Sequence, residues 1–140
     1  MSNQTVSKQT SLSRIFVIFM GIQAVLELVI GSAFLVAFPL AVETGFDLTY
    51  ISDMDIFGIV IGLQLILLAI LMFLAIRWTM QGNNAGPVIG IAAGLYFLIF
   101  GIFSFIQFGD TQAIMVDSIR GLITAIMGYM VYQQIKAQKA

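Results

Sequence analysis

The chain has 140 residues, 60% of them apolar and 9% charged, with a formal net charge of −1 and neither cysteine nor histidine. A soluble globular chain carries about 25% charged residues, so this one lacks the polar surface to face water on every side and belongs in a bilayer. Zinc sites, haem axial histidines, thiol catalysis, disulfide frameworks and serine–histidine triads go with their missing residues, and 6 scattered Lys and Arg make no stripe that tracks a nucleic-acid backbone.

In chain order, residues 1–13 are polar, with Lys8 as their single charge, and read as a disordered cytoplasmic tail. A cleaved signal would show charge, a short apolar run and a small-residue cleavage site in that order. Crossing the hydrocarbon core takes about 20 mostly apolar residues. Such segments run over about residues 15–38, 56–76, 87–108 and 113–132, within a single membrane domain of residues 14–135, and residues 136–140 form a second polar tail. Pro39 marks the expected stop of the first helix. The first loop, Leu40 to Asp55, is the longest and carries Glu43, Asp47, Asp53 and Asp55; the last two suit the positive end of the second helix. The second loop holds Arg77, a Gly82-Asn83-Asn84 turn and Pro87, a residue suited to a first helical turn. The third loop is only Phe108 to Gln112.

Short connections make successive helices antiparallel neighbours, so the expected fold is all-α, an up-and-down bundle of four transmembrane helices. Lys8, Arg14, Arg77, Lys136 and Lys139 fall on one side of that path and no Lys or Arg falls on the other. By the retention of basic flanks in the cytoplasm, both termini are cytoplasmic. Trp78, Tyr50, Tyr129 and Tyr132 suit the interfacial belts. The eight Met read as adaptable packing rather than a metal site.

A constant offset laying Gly21 on Gly90 also matches Ile22 with Ile91, Ala24 with Ala93, Leu26 with Leu95, Ile30 with Ile99 and Phe34 with Phe103. Ile56 and Gly58 similarly fall on Ile119 and Gly121. Two readings stand: a duplicated two-helix hairpin, and chance agreement between apolar segments. Gly58 with Gly62, Gly90 with Gly94, Gly94 with Gly101, and Gly121 with Gly128 place small residues on helix faces where backbones approach closely. They serve packing inside the bundle or a homodimer seam.

Ionisable groups inside the spans carry the sharper signal, because each costs at least about 2.5 kcal/mol at a helix centre without a partner. Glu27, Asp117 and Arg120 are the three. By helical rise, Glu27 lies roughly 15 to 18 Å and Arg120 roughly 13 Å below the same boundary, with Gln64 and Tyr96 at similar depth. The expectation is one polar level, fed by every helix, where Glu27 and Arg120 meet. Asp117 and Arg120 are also spaced to pair within the fourth helix, and Gln23 shares a face with Glu27. This level is an ion pair fixing helix register, a ligand or proton site, or the interface with another membrane subunit.

The layout resembles the small four-helix bacterial membrane proteins of the DoxX-like group and related families of unknown function. The likeness lies in a first helix ending in Phe38-Pro39, a polar outer loop, a Gly-rich second helix (DIFGIVIGLQLI) and the Arg120-Gly121 pair of the last helix. It implies a four-span fold, and in some relatives a role as partner of redox systems. The segment AVLELVIGSAF is similar to the first helix of small multidrug resistance transporters, whose intramembrane Glu would correspond to Glu27. Arg120 at matching depth would compete there with a cationic substrate.

The leading expectation is therefore a non-enzymatic, multi-pass protein of the bacterial inner membrane, without cofactor or metal, acting as an accessory or interaction subunit among membrane lipids. The alternative is a small transporter or binder of an anionic or zwitterionic, lipid-like molecule that uses Gln23, Glu27, Gln64, Tyr96, Asp117 and Arg120. Acid–base chemistry by Glu27 and Asp117 on a lipid has no motif behind it.

Overall fold

The computed structural model describes residues 10–43, 52–109 and 111–139. These form α1 (Ser11–Glu43), α2 (Ser52–Met80), α3 (Ala85–Phe108), a short α4 (Thr111–Ala113), a π-helical turn (Ile114–Ser118) and α5 (Ile119–Lys139). Four stretches are long and apolar enough to cross a membrane, the last of them running from the π turn through α5. Residues 1–9, Asp47, Tyr50 and Asp110 lie outside the described residues.

The helices overrun the apolar segments that announce them. Greasiness marks where hydrocarbon lies, whereas the backbone ladder continues into the polar boundary layer. Thus α1 starts at Ser11, inside the expected tail, because Thr10 caps it: the Thr10 hydroxyl accepts from the Ser13 amide at 3.3 Å, and Ser13 Oγ donates to the Thr10 carbonyl at 2.9 Å. At its other end α1 continues past Pro39 to Glu43. Spanning helices tolerate proline where neighbouring groups re-satisfy the freed carbonyl. Asp53 and Asp55 fall inside α2, so the first loop is shorter than expected.

Between α2 and α3 the chain turns tightly. Gly82 adopts φ 67°, the left-handed conformation that favours glycine. Its amide donates to Thr79 O at 3.0 Å and the Asn83 amide to Trp78 O at 2.9 Å, the paired closure of a helix C-terminus. Asn83 Oδ1 then accepts from the Ala85 amide at 3.0 Å and starts α3.

The described chain falls into two compact units, one comprising residues up to Gly21 together with Met72 onward, the other Ile22–Leu71. In the first unit, the buried positions of the last span are Ser118, Gly121, Thr124, Gly128, Val131 and Ile135, a seam with steps of three or four residues. A Cβ built on Gly121 would fall 2.5 Å from Gly94 O, and one built on Gly128 would fall 3.1 Å from Pro87 O. α3 and α5 therefore lie backbone to backbone and antiparallel. Gly90 leaves room for the Phe16 ring, and Thr10 Oγ1 donates to Gln134 Oε1 at 2.6 Å. Together these contacts place the start of α1, the α2–α3 turn and the end of α5 at one end of this unit.

In the second unit, Gly31 and Gly62 make an equivalent crossing. A Cβ on either would lie within 2.9 Å of the other's carbonyl oxygen. Gly31 contacts Leu65 and Ile66, while Gly62 contacts Leu35, so these segments of α1 and α2 are antiparallel as well. At the offset that aligns the two hairpins in sequence, Gly94 corresponds to Val25 rather than to Gly31.

Side-chain size is sorted against the pattern of a soluble protein. Ala69, Ala75, Ala93, Ser104, Ser118 and Thr124 are buried, while Ile18, Val29, Ile99 and Ile106 are among the many large apolar side chains left exposed. Small residues share the interior with Phe16, Met20, Met72 and Phe97; small residues at the crossings and branched aliphatics outside suit a bilayer, since lipid tails solvate the exterior and close backbone approach drives association.

Candidate functional site: an ion pair on an aromatic ring

The Gly94–Gly121 crossing determines what sits beside it. With no side chain at Gly121, α3 approaches until Phe97 Cβ lies 3.0 Å from where a Cβ would be. This brings the Phe97 ring, 1% exposed, under the next side chain on α5. Arg120 lays its guanidinium over that ring, with Cζ 3.9 Å from the centroid. Its Nη2 donates to Asp117 Oδ1 at 2.9 Å, across the spacing that one helical turn provides.

Asp117 belongs to the π-helical turn that ends where α5 begins. A π turn holds more residues than an α turn and commonly marks a functional position in a helix. Beside it, Ser118 Oγ donates to Leu98 O at 3.4 Å, and one turn on, Thr124 Oγ1 donates to Arg120 O at 2.7 Å. Both buried hydroxyls are satisfied by backbone, and the Ser118 bond ties the turn to α3. Tyr96 meets Phe97 edge-on at 5.6 Å and stacks on Phe100 at 6.0 Å, extending an aromatic wall from the cation.

Electrostatically the group is self-compensating. The carboxylate offsets the guanidinium through a charge-assisted hydrogen bond, and the negative ring face adds about 0.5 to 2 kcal/mol where water is thin. The pair is partly open, with side-chain exposures of 22% for Arg120 and 20% for Asp117. Such a group orients the Arg120 side chain and neutralises its charge. Among the described residues no cluster of His, Cys, Asp or Glu is arranged to hold a metal ion.

Glu27 and Gln23 belong to the second unit, on one face of α1, and are 1% and 3% exposed. Gln64 is exposed, two residues beyond buried Gly62, and so lies away from the buried face of α2. Tyr96 is half-buried in the first unit. Of the expected polar set, Asp117 and Arg120 are brought together. The glycines at 58, 62, 90, 94, 101, 121 and 128 are all buried. Sequence reading missed Phe97, Gly31 and the π turn: the first two require the register between helices, and nothing in Ile114–Ser118 announces a wider turn.

No family model matches the chain, and no curated protein or solved structure matches it either.

Proposed function

We propose that the protein is a multi-pass integral protein of the bacterial inner membrane, an up-and-down bundle with both termini cytoplasmic, serving as a non-enzymatic accessory or interaction subunit. The observation that supports this most is the pairing of Arg120 with Asp117 on the Phe97 ring. A cation in a span is costly without a partner. Here its partner and its platform come from the same chain, so the charge has a structural reason before a ligand is invoked. The glycine crossings and exposed aliphatic surface support the same reading. The DoxX-like layout agrees with it on the residues alone.

Reconstitution of the purified chain into liposomes tests it. The scaffold reading expects no flux of ions, amphiphiles or protons above empty liposomes. Flux by the chain alone would remove it.

The partial exposure of the Arg120–Asp117 pair favours one second reading, a binder of anionic, lipid-like molecules, because a guanidinium fork pairs carboxylate or phosphate. Arg120→Leu separates the two. A binder loses affinity while keeping its fold; a scaffold loses stability because Asp117 is left without its cation.

A further inference from the structure

We propose that the end of the first unit where α1 begins and α2 and α5 finish is a docking surface for anionic phospholipid headgroups. The proposal rests on the membrane reading above and adds a lipid class to it.

The contacts of Thr10 with Gln134, Phe16 with Gly90, and the α2–α3 turn gather three helix termini at this end. Four cations mark them: Arg14 in the first turn of α1, Arg77 in the last turn of α2, and Lys136 and Lys139 in the last turn of α5. All four are exposed. Among the described residues of this unit Asp117 is the single acid, and it lies on the turn preceding α5, at the opposite end of that span. Among the described residues of the unit, therefore, no acidic side chain offsets the four charges locally. Trp78 and Tyr132, both half-buried, stand within a turn or so of Arg77 and Lys136, as interfacial rings do at headgroup depth.

Helix dipoles explain part of this pattern, since cations at C-termini are favourable. That accounts for Arg77, Lys136 and Lys139. It does not account for Arg14, which sits in the opening turn of α1, where the helix end is itself positive. An anion outside the helix offsets that repulsion, and the phosphate layer of a leaflet is the anion a membrane provides there. Each basic residue near an anionic surface contributes roughly a fivefold preference, so the four act as a patch.

The test uses the full chain in vesicles that mix phosphatidylcholine with phosphatidylglycerol, reading co-purified lipid by native mass spectrometry. The wild type should retain phosphatidylglycerol preferentially, and added salt should weaken that preference because exposed charges are screened. Arg14→Gln should lower the preference roughly fivefold, whereas Arg14→Lys should keep it. If the cations served only the helix dipoles, Arg14→Gln would leave lipid choice unchanged, and that result overturns the proposal. So does equal retention of the two lipids by the wild type. Alkaline extraction of the same membranes distinguishes the failures: a chain released by alkali defeats the membrane reading, whereas a chain that stays embedded without lipid preference defeats this proposal alone.

Discussion

Adding one methyl group at Gly121 should separate two helices. The ideal Cβ of Gly121→Ala lies 2.5 Å from Gly94 O, 2.6 Å from Leu98 N and 3.0 Å from Phe97 Cβ, whereas ordinary contact begins near 3.4 Å. The two closest atoms are backbone and cannot swing aside, so α3 and α5 must move apart by most of an ångström. Overpacking of this kind costs about 1 to 3 kcal/mol, and a gap of that size also forfeits a quarter to a half of the attraction between neighbouring atoms. Gly21→Ala is the internal control: its nearest foreign atom is Ile76 Cδ1 at 3.8 Å, ordinary contact, and alanine is the better helix former by about 1 kcal/mol. Equilibrium unfolding in mixed micelles, followed by circular dichroism, should show Gly121→Ala unfolding at a lower denaturing-detergent fraction and Gly21→Ala unfolding at or above the wild-type fraction. The double variant Gly94→Ala/Gly121→Ala should cost less than the sum, because both methyls press on the same crossing. If Gly121→Ala and Gly21→Ala unfold together, the α3–α5 approach is not as close as described.

Substitutions at Asp117, Arg120 and Phe97 address the ion pair by the same unfolding assay. Asp117→Asn should destabilise by about 3 kcal/mol, since it removes the carboxylate charge that pairs with the guanidinium, and Arg120→Met/Asp117→Leu should recover most of that loss; a double variant worse than the Asp117→Asn change would contradict pairing as the reason for both residues. Phe97→Leu keeps an apolar side chain but removes the ring face under Arg120, and should cost about 0.5 to 2 kcal/mol in the wild type beyond its cost in an Arg120→Met background. Equal costs in the two backgrounds would mean that the ring serves packing alone.

How much of this was legible in the chain differs between height and direction. Composition located four segments long and apolar enough to span a membrane, and helical rise gave Glu27, Gln64, Tyr96 and Arg120 similar expected depths. Depth says nothing about which way a side chain points around its helix, however. Gln64 shows the consequence: the glycine that fixes the buried face of α2, Gly62, is two residues away, and two residues is more than half a turn. The Asp117–Arg120 pair was readable because it depends on spacing within one helix. Phe97 was not, because its place under Arg120 depends on which glycines of α3 and α5 cross. The helix ends were underestimated for a similar reason, since hydropathy senses lipid whereas hydrogen bonding decides where a helix starts, as at Thr10 and Ser13.

The membrane arrangement underlying all of this can be tested directly because the chain has no native cysteine. Single cysteines at Ser11, Asn83, Gln138 and Gln112 can be challenged with a membrane-impermeant maleimide in intact spheroplasts and again after lysis. The account predicts that the first three label only after lysis and that Gln112→Cys labels in intact cells. Labelling of Asn83→Cys and Gln112→Cys from the same side would contradict it.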